Sequence, residues 1–230
     1  EFFIPAAEML AETPFFPVLG NHEYNGGGLS RYLDFFDLPD KNGTEKWYAT
    51  TYGCSRFIGL DSNEAEPGVS FEPGEPQYTW LTEELGGPAF ERASWQFVLF
   101  HHPPFTSGSH TADETTADEN LAPLFETHGV DMVLNGHNHH YERSLVPDES
   151  GIPYVVTGGG GAPLGGFPNE HLNPYSQVRV EDYEFVTLDF DCAAGTAVFN
   201  AWNLQGARID GPITLTDDRY RFYLPLAAAN

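Results

Sequence analysis

Apolar and polar positions fall in blocks along this chain, and the blocks predict strands that each end in a polar loop. Residues 2–11 carry apolar side chains at Phe2, Phe3, Ile4, Ala6, Ala7, Met9 and Leu10, which despite Pro5 predicts a helix or its last turns. Thr13 to Leu19 predicts a short buried strand that delivers Gly20-Asn21-His22-Glu23. Residues 25–46 read as a Gly- and Asp-rich loop, packed down by the aromatic segment Tyr32 to Phe36. Trp47–Tyr52 and Arg56–Leu60 predict a hairpin around Gly53-Cys54-Ser55. Gln77 to Leu85 is helical by the spacing of Trp80, Leu81 and Leu85, and Gly86-Gly87-Pro88 closes it.

Trp95–Phe100 predicts the clearest buried strand, and it runs directly into His101-His102-Pro103-Pro104. A polar loop (106–118), a short helix over Leu121 to Phe125 and a strand over Val130–Leu134 follow. That last strand leads into Asn135-Gly136-His137-Asn138-His139-His140. Strand, helix, strand with polar loops at strand ends predicts an α/β fold whose site gathers at those ends. Past Tyr141 the pattern turns β-rich: Tyr154–Thr157 meets the glycines at 158–161, and strands are predicted at 176–180, 183–190 and 196–204. No internal repeat or linker divides the chain.

The length of 230 residues, with 40% apolar and 14% aromatic content, suits one domain with a sizeable core and excludes a disordered chain. No apolar run reaches the roughly 18 residues that a membrane helix needs. Glu1-Phe2-Phe3-Ile4-Pro5 has neither a basic region nor an initiating Met, so it shows no signal-peptide pattern and reads as the middle of a domain. The formal charge is -24, with Lys41 and Lys46 the only lysines. That acidic surface repels nucleic acid and anionic membranes and fits a salty or extracellular setting. Cys54 and Cys192 leave two alternatives, one disulfide or two thiols, and are too few for a zinc quartet.

Candidate chemistry lies in three loops: Asn21-His22, His101-His102 and His137-x-His139. Taken singly, each histidine is more often a core or surface residue than a ligand. Three strand-to-loop switches, each opening on Asn or His, form a joint pattern that suits metal. A strand provides a rigid base, Gly136 is expected to allow close backbone approach, and two imidazoles leave one loop together.

These motifs resemble those of the calcineurin-like metallophosphoesterases, and within them a purple acid phosphatase catalytic domain. They are Gly20-Asn21-His22-Glu23, Val98-Leu99-Phe100-His101 and Gly136-His137-Asn138-His139, supported by Leu60-Asp61-Ser62, Tyr141-Glu142-Arg143 and Tyr154 to Gly160. The resemblance covers about residues 13–205. It implies a four-layer α/β/β/α sandwich of two mixed sheets, here without its first strands. It implies a catalytic domain over 1–211, lacking its N-terminal metal-binding motifs, and a C-terminal tail over 212–230. It implies two divalent or trivalent metal ions, iron with zinc, manganese or a second iron. Asn21, His101 and His137 would hold one ion and His139 the other. His22 would be the catalytic residue, as proton donor to the leaving group or as a charge stabiliser, and His102 and His110 would contact a small phosphate-ester substrate. The implied reaction is hydrolysis of phosphate monoesters by a metal-bound hydroxide, in an extracellular or periplasmic setting.

The family's two earlier motifs, Asp-x-Gly or Asp-x-His and then Gly-Asp-x-x-Tyr, do not occur before Gly20. Asn21, His101, His137 and His139 are all neutral, and two close cations need anionic oxygen between them. Asp34, Asp37, Asp61 and Asp131 are poor substitutes, Asp61 reading as structural. The expectation is that several dozen residues precede Glu1. A phosphodiesterase or nucleotidase of the same superfamily is the close alternative. A catalytically incomplete binding module and an acidic domain with incidental histidines are the others.

Overall fold

The computed structural model describes residues 4, 6–39, 43–111, 115–146, 151–168, 170 and 172–216. Its frame is a seven-stranded sheet in the order β1-β2-β3-β4-β6-β5-β7. The strands are β1 (Tyr48–Tyr52), β2 (Ser55–Gly59), β3 (Trp95–Leu99), β4 (Met132–Asn135), β5 (Tyr141–Leu145), β6 (Pro153–Thr157) and β7 (Ser176–Val180). β2, β3, β4 and β6 run parallel, while β1, β5 and β7 join antiparallel. A second sheet, β8 (Glu184–Asp191), β9 (Thr196–Asn203) and β10 (Arg208–Thr216), is antiparallel throughout, in the order β10-β9-β8.

Both faces of the central strands are apolar because both are covered. Alternate side chains of a strand point to opposite faces, so the β3 sequence divides between two cores. Val98 and the following Phe100 join Leu81, Leu85, Leu121, Phe125 and Val133 in a core beneath the helices. Trp95 and Phe97 join Met132, Tyr141, Val155, Ala197, Phe199 and Ala201 between the two sheets. The helix layer contains α3 (Pro76–Leu85), α4 (Pro88–Arg92), α5 (Ala117–Asn120) and α6 (Ala122–His128). The described residues therefore make helices, large sheet and small sheet. The helix layer that a four-layer sandwich puts outside the small sheet is not represented among them, and Phe185 of β8 stays 49% exposed.

Two expectations fail early in the chain. Thr13–Leu19 is extended but joins no ladder among the described residues. The expected loop at 25–46 contains a helix, α2 (Gly28–Phe35), which follows α1 (Ala7–Glu12). Leu29, Tyr32 and Phe36 put apolar groups on one face of α2, over Leu19, Leu38 and Tyr48. The glycines at 26–28 obscure this spacing in the sequence. Further on, β5 and α4 were not predicted, and β10 runs on to Thr216, past the 211/212 position where the tail was expected. Of that tail, 217–230 lies outside the described residues.

Covalent and polar ties also join the sheets. Cys54, in the β1–β2 turn, is disulfide-bonded to Cys192, in the β8–β9 turn. Asp210 of β10 accepts hydrogen bonds from Arg143 Nε (2.6 Å) and Tyr141 Oη (2.7 Å) of β5. Burial pushes the Asp210 carboxyl upward, but the bonds from Arg143, Tyr141 and the Gly211 N–H outweigh it and hold the group below its ordinary value. A depressed carboxylate adds stability above its unfolded pKa of about 3.9, and that stability is lost as pH falls through the folded value. Asp210→Ala strands a guanidinium and a hydroxyl, so it should cost about 2–4 kcal/mol in urea melts at pH 7. The stability lost below about pH 4 should be smaller in the variant than in the wild type.

Candidate metal centre

The parallel register of β3 and β4 pairs Leu99 with Leu134, and the ladder continues beyond both strands. Phe100 N–H donates to Leu134 C=O (3.2 Å), and Gly136 N–H donates to His101 C=O (3.0 Å). The buried Asn135 side chain adds a bond to the Phe100 carbonyl (2.8 Å). His101 and His137 therefore leave adjacent strand ends side by side. Asn21 arrives from the 3-10 turn Asn21–Tyr24, which Tyr24 ties to the sheet by hydrogen-bonding the Asp61 carboxylate. Asn63 also bonds Asp61, through its N–H and its side-chain amide, so this aspartate is occupied structurally.

His101 Nε2 lies 3.0 Å from Asn21 Oδ1 and 3.0 Å from His137 Nδ1. A single Nε2 proton serves two acceptors only as a shared, weakened bond, whereas a cation serves all three lone pairs. Two donors about 2.1 Å from a common ion and at right angles lie about 3 Å apart. The donor set thus fits a metal. Burial pushes the His101 imidazole down to about 3, helped by His102, His137, His22 and His139 around it, so the ring is neutral and its lone pair available. His137 holds a left-handed backbone (φ 66°), a strain of about 1–2 kcal/mol for a residue with a Cβ.

The other predicted residues take different stations. His102 joins His101 and His137, their ligand atoms within 4.8 Å of one another, and no carboxylate or thiol joins this group among the described residues. Its Nδ1 is 2.9 Å from Ser62 Oγ, which also accepts the His102 N–H (3.0 Å). The His110 ring stands 4.2 Å from the His137 ring, centre to centre. His139 is outside the cluster. Its Nδ1 faces the Pro163 carbonyl at 2.9 Å, and a carbonyl only accepts, so Nδ1 carries the proton and Nε2 carries the lone pair. His22 is exposed and lines a cavity of about 500 Å³ with Arg31, Tyr32 and Phe35.

Two features of the site lie in stretches whose sequence marked a resemblance but not the role each residue takes. Gly136 is not required for close approach, since a Cβ there would meet His101 at an ordinary 3.5 Å. The close approach is at Gly158. The 136–140 turn passes over the end of β6 on its way to β5, and a Cβ at 158 would lie 1.9 Å from the Asn138 carbonyl oxygen. The second is Glu142, fully buried in β5, which accepts the Ser107 N–H and hydroxyl, both at 2.6 Å. Burial alone would raise the Glu142 carboxyl, but His140, 3.7 Å away, and the two Ser107 bonds hold it below its ordinary range.

A strand-end centre of Asn and His that fits a metal agrees with a family model, "Calcineurin-like phosphoesterase", which matches residues 1–141. The chain belongs to this family. Membership implies divalent metal ions as cofactors. Among curated relatives of this calcineurin-like chain is "Purple acid phosphatase 1" of Ipomoea batatas. It is 27% identical over 243 residues, covering 92% of this chain and 50% of the relative. "Probable inactive purple acid phosphatase 1" of Arabidopsis thaliana is 28% identical over 222 residues, covering 81% of this chain and 35% of that protein. The chain thus spans a third to a half of these relatives' lengths. A purple acid phosphatase, PPD1, from yellow lupin seeds shares the fold with a TM-score of 0.74 at 22% identity, over 92% of this chain and 40% of that one.

His101→Ala and His137→Ala should each weaken metal binding at least tenfold or so. Gly158→Ala should do the same while removing no ligand, because the Asn138 backbone must move. Metal content after dialysis, read by atomic emission, checks this, and a fully loaded Gly158→Ala protein would contradict the crossing of β6 described above.

Proposed function

We propose that the protein hydrolyses phosphate monoesters at a centre of two metal ions. The observation that carries this reading is the meeting of His101 Nε2 with Asn21 Oδ1 and His137 Nδ1, each at 3.0 Å, where the parallel strands β3 and β4 end beside the Asn21–Tyr24 turn. Asn21, His101 and His137 hold one ion, and His139 offers Nε2 to the other. Bound there, the ions supply Lewis acidity, acidifying a water and neutralising charge on the phosphoryl oxygens. Imidazole suits zinc, iron and manganese alike, so iron paired with zinc, manganese or iron fits the donor set.

The protein's own groups do the rest. His22, next in sequence to Asn21 and exposed at the cavity with Arg31 and Tyr32, donates a proton to the departing alkoxide. His102, held by Ser62, and His110, its ring tilted against His137, meet the substrate phosphate. The formal charge of -24 disfavours nucleic acid as substrate or partner. No helix among the described residues is long and apolar enough to cross a membrane. The Cys54–Cys192 disulfide supports an oxidising location, extracellular or periplasmic.

A second reading is a metal-binding module without turnover. The uniformly neutral donor cluster favours it, since no carboxylate joins His101, His102 and His137 among the described residues. Turnover of para-nitrophenyl phosphate and its bis-ester by metal-loaded protein separates the readings. The monoester should be preferred, and His22→Ala should lower its kcat about 10²–10⁴-fold with metal content unchanged. No turnover of either ester with zinc, manganese or iron would leave the binding module, and loss of metal in His22→Ala would make that residue a ligand.

A further inference from the structure

The residue between His137 and His139 has no part in the chemistry above, yet Asn138 is 2% exposed and fully engaged. Its Nδ2 donates to the His110 carbonyl (2.8 Å) and to Thr106 Oγ1 (3.1 Å). Its Oδ1 accepts the His110 N–H (3.2 Å). One amide thus binds both backbone groups of His110, as a neighbouring strand would. Thr106 Oγ1 also accepts the Gly108 N–H (3.0 Å), which closes the 106–110 loop on itself. Gly108 lies against the same amide, and a Cβ there would sit 2.0 Å from Asn138 Oδ1.

We infer that Asn138 is a positioning residue for substrate: it clamps the 106–110 loop and so fixes the exposed His110 ring over His137. The inference rests on the reading in which His110 meets the phosphate. An amide suits the task because it offers two donors and an acceptor without charge. Aspartate would keep the bond from the His110 N–H and lose both donated ones. The clamp differs from the Ser107–Glu142 anchor in the same loop, because it grips the residue that carries the ring.

The test is binding of inorganic phosphate to metal-loaded protein by calorimetry, for wild type, Asn138→Ala, His110→Ala and the double variant. Metal content and hydrogen exchange over 106–111 are measured beside it. Asn138→Ala and His110→Ala should each weaken phosphate binding about tenfold, about 1.4 kcal/mol, with metal content unchanged. The double variant should be no weaker than either single, because both remove one contact. Exchange over 106–111 should quicken in Asn138→Ala and not in His110→Ala. Gly108→Ala should reproduce the Asn138→Ala effect and add nothing to it. Additive losses near a hundredfold, or wild-type phosphate binding by Asn138→Ala, would overturn the clamp alone. Metal loss from Asn138→Ala would reduce it to a support for the turn and overturn it too. Wild-type phosphate binding by His110→Ala would overturn the assignment of His110 to substrate, and the clamp's role with it.

Discussion

The site depends on one parallel ladder that does not stop where its strands stop. β3 and β4 are paired through Leu99 and Leu134, and the hydrogen bond from Gly136 N–H to the His101 carbonyl extends the register into the loops. Two imidazoles from segments 36 residues apart are thereby set at a separation that one ion can bridge. Parallel strands make this economical, since all their C-terminal ends reach one edge of the sheet. Ser62 follows β2, His101 and His102 follow β3, His137 follows β4 and Gly158 follows β6.

Neutral donor groups crowded at such an edge need support from outside the cluster. Burial keeps the His101 ring unprotonated, and strain is accepted at His137. The surrounding loops are fastened by polar groups that are themselves buried and satisfied. Glu142 holds Ser107, and Asn138 holds Thr106 and His110. Glu184, raised by burial, binds Thr157 and the Gly159 N–H and so anchors the start of the glycine run to β8. A carboxylate buried without such partners would cost several kcal/mol. These networks therefore specify the loop positions as well as tolerating burial.

The small sheet contributes to the site only indirectly. It covers the face of β3, β4, β5 and β6 that the helices leave bare, and Arg143–Asp210 aligns β10 with β5. β5 is the strand that begins at the end of the His137–His140 turn. Clamping β5 between β6, β7 and the small sheet therefore also fixes where that turn must land.

Much of this was legible in the residues alone. Blocks of β-branched and aromatic side chains marked β1, β2, β3, β4, β6, β7, β8 and β9, and the polar residues that follow β3 and β4 marked His101 and His137; Asn21 was marked in the same way by the apolar run Thr13–Leu19. Local pattern suffices best at β3, β4 and β6, where burial on both faces imposes a largely apolar run. The sequence could not reveal that Thr13–Leu19 lacks a partner strand, that α2 replaces a loop, or that β10 passes Pro212. Each of those outcomes rests on which distant surface is available to pack against. The same holds for Gly158, Asn138 and Glu142. Their roles exist only because the chain crosses β6 and folds the 106–110 loop back, and a crossing has no periodicity to read. Residue type and spacing determined which atoms can bind metal; only the tertiary structure decided which of them meet, because meeting depends on register between strands far apart in the chain.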